Sequence, residues 1–334
     1  MPDPARAKSA LWISAAKHVD LMVVACLMLV AGLGMAGLHG GPILPPASER
    51  PVLLAEAVPA PAQQAERPAP RYYPWTAPEP YHPVLPERAD PVVPKPDMTG
   101  FKTLLRNPRA DPVFRASTHD NDNSFYGAHW REENVTPTSS GTLLSVQRVK
   151  GLSLPYTAGE IQSQKHYGHG RYEAILRPSR GSGLATAFFT YTGPWFGNPH
   201  DEIDIEFLGQ DTTKVHFNYF RRGRTGKSAI FDLPFDAADA DRLYAFEWTP
   251  EGITWFVEGE PYYATEPGDT FLPMVGGKVM FSAWTGVPHM QGWLGKPTFA
   301  SGAGMHVSCS SFVPLGQTGP SCADSYTPPV VLSP

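Results

Sequence analysis

The chain has 334 residues, with 27 Lys and Arg against 32 Asp and Glu, a formal charge of −5. That mild acidity argues against the basic surface on which nucleic-acid binding depends, so no nucleic-acid partner is expected. Apolar residues reach 42% and charged residues only 18%, which excludes a highly charged disordered chain, and three cysteines exclude a disulfide scaffold or a four-cysteine zinc site.

Residues 1–40 read as a targeting segment. Arg6, Lys8 and Lys17 precede an uncharged run of eighteen residues, Leu21–Leu38. This is either a signal peptide cut near Gly34-Met35-Ala36 or an uncleaved anchor that holds the chain to the membrane through residues 21–38. Both readings put the N-terminus inside and export the remainder of the chain, to the periplasm or beyond the cell, with an uncleaved anchor tethering it to the inner membrane. Residues 41–97 hold 16 of the 37 prolines, so they cannot propagate a helix or a ladder and read as a semi-rigid linker.

Residues 98–316 read as one all-β domain. Alternating runs occur at 159–164, 171–176, 185–191, 202–207, 214–220, 242–248, 253–259 and 278–284, rich in Ile, Val, Phe, Tyr and Trp. Gly, Pro, Asp and Thr bound them, as expected of an antiparallel sandwich or jelly roll. Val257–Pro261 suggests a hairpin turn. Residues 317–334 read as a flexible tail. Cys309 and Cys322 could pair in an oxidising compartment or stay as free thiols.

One strand carries chemistry. In Glu202-Ile203-Asp204-Ile205-Glu206-Phe207 the three acids share one face and the apolar residues the other. Same-face neighbours stand about 6.6–6.8 Å apart along a strand. The long glutamates can lean together toward the separation of about 5–5.5 Å that a retaining glycosidase uses. Mutual repulsion, about 2.8 kcal/mol per close pair at ~6 Å, should keep one carboxyl protonated near neutral pH. Spacing alone also allows a solvated acidic face or part of a calcium site. Phe189 and Tyr191 share one strand face, and His216, Asn218 and Phe220 share another. Trp284 and Trp293 add aromatic surface on which a sugar's apolar face can stack. No zinc-protease, nucleophile-elbow or nucleotide-binding motif occurs.

The run HDEIDIEFLGQDTTKVHFNYF (200–220) resembles the active-site region of glycoside hydrolase family 16, and of its bacterial lichenases in particular. WREENV (130–135), GEIQSQKHYGHGRYEAILRP (159–178), AFFTYTGP (187–194), YAFEWTPEGITWFVEG (244–259) and GWLG (292–295) extend the likeness over about half the chain. The resemblance implies a concanavalin A-like β-jelly roll with a carbohydrate cleft. It implies Glu202 as nucleophile, Glu206 as acid/base and Asp204 as the tuning carboxyl between them. It further implies sugar contacts from Phe189, Tyr191, Asn218 and Trp284 and a cleft carboxylate at Glu160, and His200, His216 and Phe220 beside them are candidate substrate-binding residues as well. No cofactor is required for catalysis. A structural calcium is common in the family, but no ligands for it can be assigned from the sequence. The implied substrate is a β-1,3-1,4-glucan or a related bacterial exopolysaccharide. A xyloglucan-type transglycosylase and a non-catalytic glycan-binding envelope protein are the alternatives. Four departures bear on which polymer is bound: His200 replaces a lichenase Trp, Gln162 an Arg, Phe220 a Tyr and Ser282 an Asn. Ala158 stands where lichenases carry a disulfide Cys.

Overall fold

The computed structural model describes residues 95–122 and 124–329. The expected membrane segment at 21–38, nearly all of the expected linker and the last five residues lie outside the described residues. No helix among the described residues is long and apolar enough to cross a membrane.

Among the described residues seventeen strands occur in chain order. The first nine are β1 (Phe101–Thr103), β2 (Phe114–Ala116), β3 (Ala128–Trp130), β4 (Val135–Pro137), β5 (Thr142–Arg148), β6 (Tyr156–Ser163), β7 (Gly170–Pro178), β8 (Ala185–Thr192) and β9 (Asp201–Leu208). Then come β10 (Lys214–Arg221), β11 (Arg224–Thr225), β12 (Ala229–Asp232), β13 (Arg242–Trp248), β14 (Ile253–Val257), β15 (Glu260–Ala264), β16 (Lys278–Trp284) and β17 (Gly304–Pro314). A short α-helix, Gln291–Leu294, comes after β16.

They form two layers. The first has the order β2–β6–β16–β8–β9–β10–β12, with every pair antiparallel. The second runs β1–β17–β7–β13–β14–β15. Strand β5 pairs with both β17 and β6 and so joins the layers, while β3 lies parallel to β6. The core fills the space between them. Phe188, Phe207 and Phe217 of the first layer meet Phe246, Tyr244 and Trp255 of the second, with centroids 5.5, 4.9 and 5.7 Å apart. These are the apolar halves of alternating strands, and their burial drives the two layers together.

Strands β13 and β16 match their sequence-predicted limits. The run at 253–259 ends earlier, at Val257, because Glu258 and Gly259 form the hairpin turn. Both have positive φ, 54° and 88°, the conformation that two-residue hairpins require. The C-terminal segment departs from the loose tail expected of it. Cys322 is fully buried and disulfide-bonded to Cys309 of β17, with Cα atoms 5.9 Å apart. The Ala323 amide donates to Glu173 Oε2 at 2.9 Å, and the Tyr326 hydroxyl donates to Glu258 Oε1 at 2.7 Å. The polar, Pro-rich composition suggests a free end, but the crosslink and these bonds pin it as far as Tyr326.

Candidate active site

Register brings the predicted residues into rows across the first layer. Strand β9 is its centre, flanked by β8 and β10. Glu202 lies between Tyr191 and Phe220, Asp204 between Phe189 and Asn218, and Glu206 between Ala187 and His216. Farther out, Phe189 faces Met280 of β16, and Ser282 faces Glu160 of β6. The opposite face of β9 carries Ile203, Ile205 and Phe207, all fully buried. The alternation read from the sequence therefore holds: acids toward one side, core toward the other.

The acid face lines a cavity of about 740 Å³, within the range of small-molecule sites. Glu160, Phe189, Tyr191, His200, Glu202, Asp204, Glu206, Asn218, Phe220 and Trp284 all line it. His216 does not. It shares the face and pairs with Glu206, but it is buried at the Glu206 end of the β10 row, where desolvation lowers its pKa to about 4 and keeps the ring neutral. Residues on loops, which no periodicity marks, complete the walls. Phe125 and Tyr126 pack at 5.2 and 5.1 Å from Trp284, which is itself 5.9 Å from Trp293. Ala187, Phe189 and Met280 form an apolar strip on the floor.

Burial dominates the electrostatics. It raises Asp204 well above the carboxylate range, with the charges of Glu202 and Glu206 adding to it and a hydrogen bond to Glu202 favouring the protonated form. Burial first, and then Glu202, lifts Glu206 to about 8, although its side chain is partly open to the cavity. Glu160, fully enclosed, rises to about 7 even though the Ser117 hydroxyl donates to its Oε1 at 2.6 Å. Sequence spacing points to mutual repulsion as the source of the retained proton. Repulsion is present, but desolvation is the larger cause, because the sheet floor removes water from Asp204 and Glu206.

Glu202 is held on two sides. The protonated Asp204 donates to it, and His200 Nε2 contacts its Oε2. The His200 ring stacks on Phe220, 4.9 Å away at 19°, and lies 5.2 Å from Tyr191. Gln162 donates from Nε2 to Ser117 Oγ at 2.7 Å, so it supports Glu160 through the hydroxyl. The opposite oxygen, Gln162 Oε1, is buried without a hydrogen-bond partner, as are Asp204 Oδ2 and Asn218 Oδ1. Each such atom costs about 1–3 kcal/mol unless a ligand satisfies it, and sugar hydroxyls are donors of the right kind.

The strand is also fixed from outside the cavity. Trp255 of β14 donates its indole N–H to the Asp204 carbonyl at 3.0 Å. Asp201, the residue before Glu202, accepts backbone N–H bonds from Arg222 at 2.9 Å, Met274 at 2.7 Å and Val275 at 3.0 Å. Among the described residues no three or more His, Cys, Asp or Glu side chains come together in a way that could hold a metal ion.

Residues 122–299 match the glycosyl hydrolases family 16. The chain belongs to this family. A β-glucanase of Bacillus subtilis (strain 168) is 42% identical over 183 residues, covering 54% of this chain and 73% of that protein. Two solved structures share the fold. A β-1,3-1,4-glucanase (lichenase) derived from a mouse hindgut metagenome aligns with TM-score 0.61 and 32% identity, covering 65% of this chain and all of that one. The Bacillus licheniformis β-glucanase aligns with TM-score 0.59 and 34% identity, over 64% and 97% of the two chains. The protein is thus a family 16 glycoside hydrolase with the curled, jelly-roll-like sheet of that family.

Proposed function

We propose that this protein is an exported, retaining endo-β-glucanase that cleaves β-1,3-1,4-linked glucan or a related bacterial exopolysaccharide. The carrying observation is the single row of carboxylates on one face of β9. Glu206 is lifted to about 8, while Glu202 accepts a hydrogen bond from Asp204. A protonated acid and an ionised nucleophile are what double displacement requires. The β-glucanase and lichenase relatives support the polymer class.

In the first step Glu206 gives its proton to the glycosidic oxygen as Glu202 attacks the anomeric carbon. The C–O bond to the leaving sugar breaks, and a glycosyl ester forms on Glu202. Glu206, now ionised, takes a proton from water. That water attacks the same carbon and frees Glu202, so two inversions give net retention. Asp204 holds Glu202 oriented throughout. Phe189, Tyr191 and Trp284 stack on sugar faces, and Asn218, Gln162 and Glu160 take hydroxyl groups. Export rests on the basic and then apolar N-terminal sequence.

The test is turnover of mixed-linkage glucan with NMR of the first anomer released. Glu202→Gln should lose at least about a thousandfold in kcat, with the wild type releasing the β-anomer first. Normal turnover by Glu202→Gln would refute the nucleophile assignment, and an α-anomer would refute retention. Lengthened chains on adding acceptor oligosaccharide would reassign the enzyme to transfer.

A further inference from the structure

Trp195 is 86% exposed, the most exposed large apolar side chain among the described residues. Scattered exposed hydrophobics are ordinary, but this one lines the carboxylate cavity. Its loop, between β8 and β9, is firmly seated. Pro194–Phe196 forms a single helical turn, and Asn198 Nδ2 donates to Thr192 Oγ1 at 2.8 Å. Gly193 lets the loop press on the sheet, since a Cβ there would stand 2.3 Å from the Tyr191 hydroxyl oxygen. Phe196 turns inward, 5.2 Å from the His166 ring and 5.4 Å from the Lys278 ammonium. Its neighbour Trp195 is left presented outward.

Strand directions show what Trp195 reaches. The loop leaves the sheet at the Tyr191 edge of β8, beside Lys278 at the start of β16. His119 comes after β2, which runs parallel to β16 because each is antiparallel to β6. His119 therefore leaves the sheet at the opposite edge, beyond Ser117 and Glu160. Yet the rings of Trp195 and His119 lie 6.4 Å apart at 17°, and both line the cavity. The pair thus brings together the two ends of the groove, from segments next to β8 and β2, between which β16 and β6 lie.

We infer that Trp195 and His119 form a sugar-stacking clamp that grips the polymer on the β2 side of the carboxylates, away from the bond that is cut. The occupant is the glucan itself, because the clamp is continuous with the cavity holding the carboxylates; this inference rests on the glucan reading above. The broad indole face meets the C–H face of a pyranose, and the anchored loop holds it ready, so little ordering is lost on binding. Uniform binding of this kind changes KM rather than the chemical step.

The test uses the full-length enzyme on mixed-linkage glucan. Trp195→Ala should raise KM about tenfold with kcat within about twofold. Trp195→Phe should restore most of the affinity, and His119→Ala should raise KM by a smaller factor. Thermal midpoints should match the wild type, since the indole is not packed in the core. An unchanged KM in Trp195→Ala, or a fall in kcat at constant KM, overturns the clamp while leaving the glucan reading intact. An unchanged KM in His119→Ala removes His119 from it. A wild type that turns over no glucan overturns both readings.

Discussion

Glu206→Gln tests the electrostatics of the row through stability rather than rate. The Glu206 carboxyl rises from an ordinary 4.5 to about 8. Between those values the folded protein holds a proton that the unfolded chain has released. The folded state thus binds more protons, and stability falls as pH rises through the window, at up to about 1.4 kcal/mol per pH unit from this one group. Taken over the full interval the upper bound is about 5 kcal/mol. Sharing of the proton among coupled neighbours and the partial opening to the cavity reduce the expected value to about 2–3 kcal/mol. Gln keeps the shape and cannot ionise. Urea unfolding of wild type and variant at about pH 5 and about pH 8 should show the variant gaining about 2–3 kcal/mol on the wild type across that span. Glu160, raised by burial and by Glu202, keeps its own slope in both proteins, while the part of the Asp204 shift that comes from Glu206 is covered by the discount for coupled neighbours. A difference between the two proteins that does not change with pH would refute the assignment of a buried, proton-bearing Glu206.

The crosslink between Cys309 and Cys322 closes a separation of 13 residues. Its removal by the double Cys→Ala change should cost about 3 kcal/mol in urea unfolding, and a loss under about 1 kcal/mol would mean that the C-terminal segment is held by other contacts. Trp255→Phe removes the donor to the Asp204 carbonyl and thins a fully buried ring contact. It should cost about 3 kcal/mol and lower kcat by loosening β9, and unchanged kcat would show that the strand holds its position without this bond.

Legibility in the sequence tracks side-chain period. Strands β9, β13 and β16 are plain because aromatic and β-branched residues alternate with smaller or polar ones between clear breakers. Strand β17, the longest, is not legible in this way. Its core face carries Met305, Val307 and Phe312, but a register shift between Val307 and Cys309 breaks the period, and the opposite face is buried as well, with Cys309 and Ser311 under the C-terminal segment, so no clean alternation shows. The site divides along the same line. The floor on β8, β9, β10 and β16 can be read from same-face spacing, but that spacing cannot tell where a groove ends, and it draws in His216 on that account. The walls come from loops. Nothing in the sequence marks Tyr126, although burial and the charges of Glu160 and Glu202 push its pKa well up, which places it among the carboxylates. A tyrosine in a loop carries no sign of which face it will meet.

Asp201 gives the molecule a separation of duties. One carboxylate, a single peptide ahead of Glu202, collects amides from two stretches of chain, at 222 and at 274–275. Backbone amides are supplied by any residue except proline, so side chains along both stretches can be exchanged while the same three bonds persist. A lineage can redraw the side chains of both stretches in this way without disturbing the nucleophile next door.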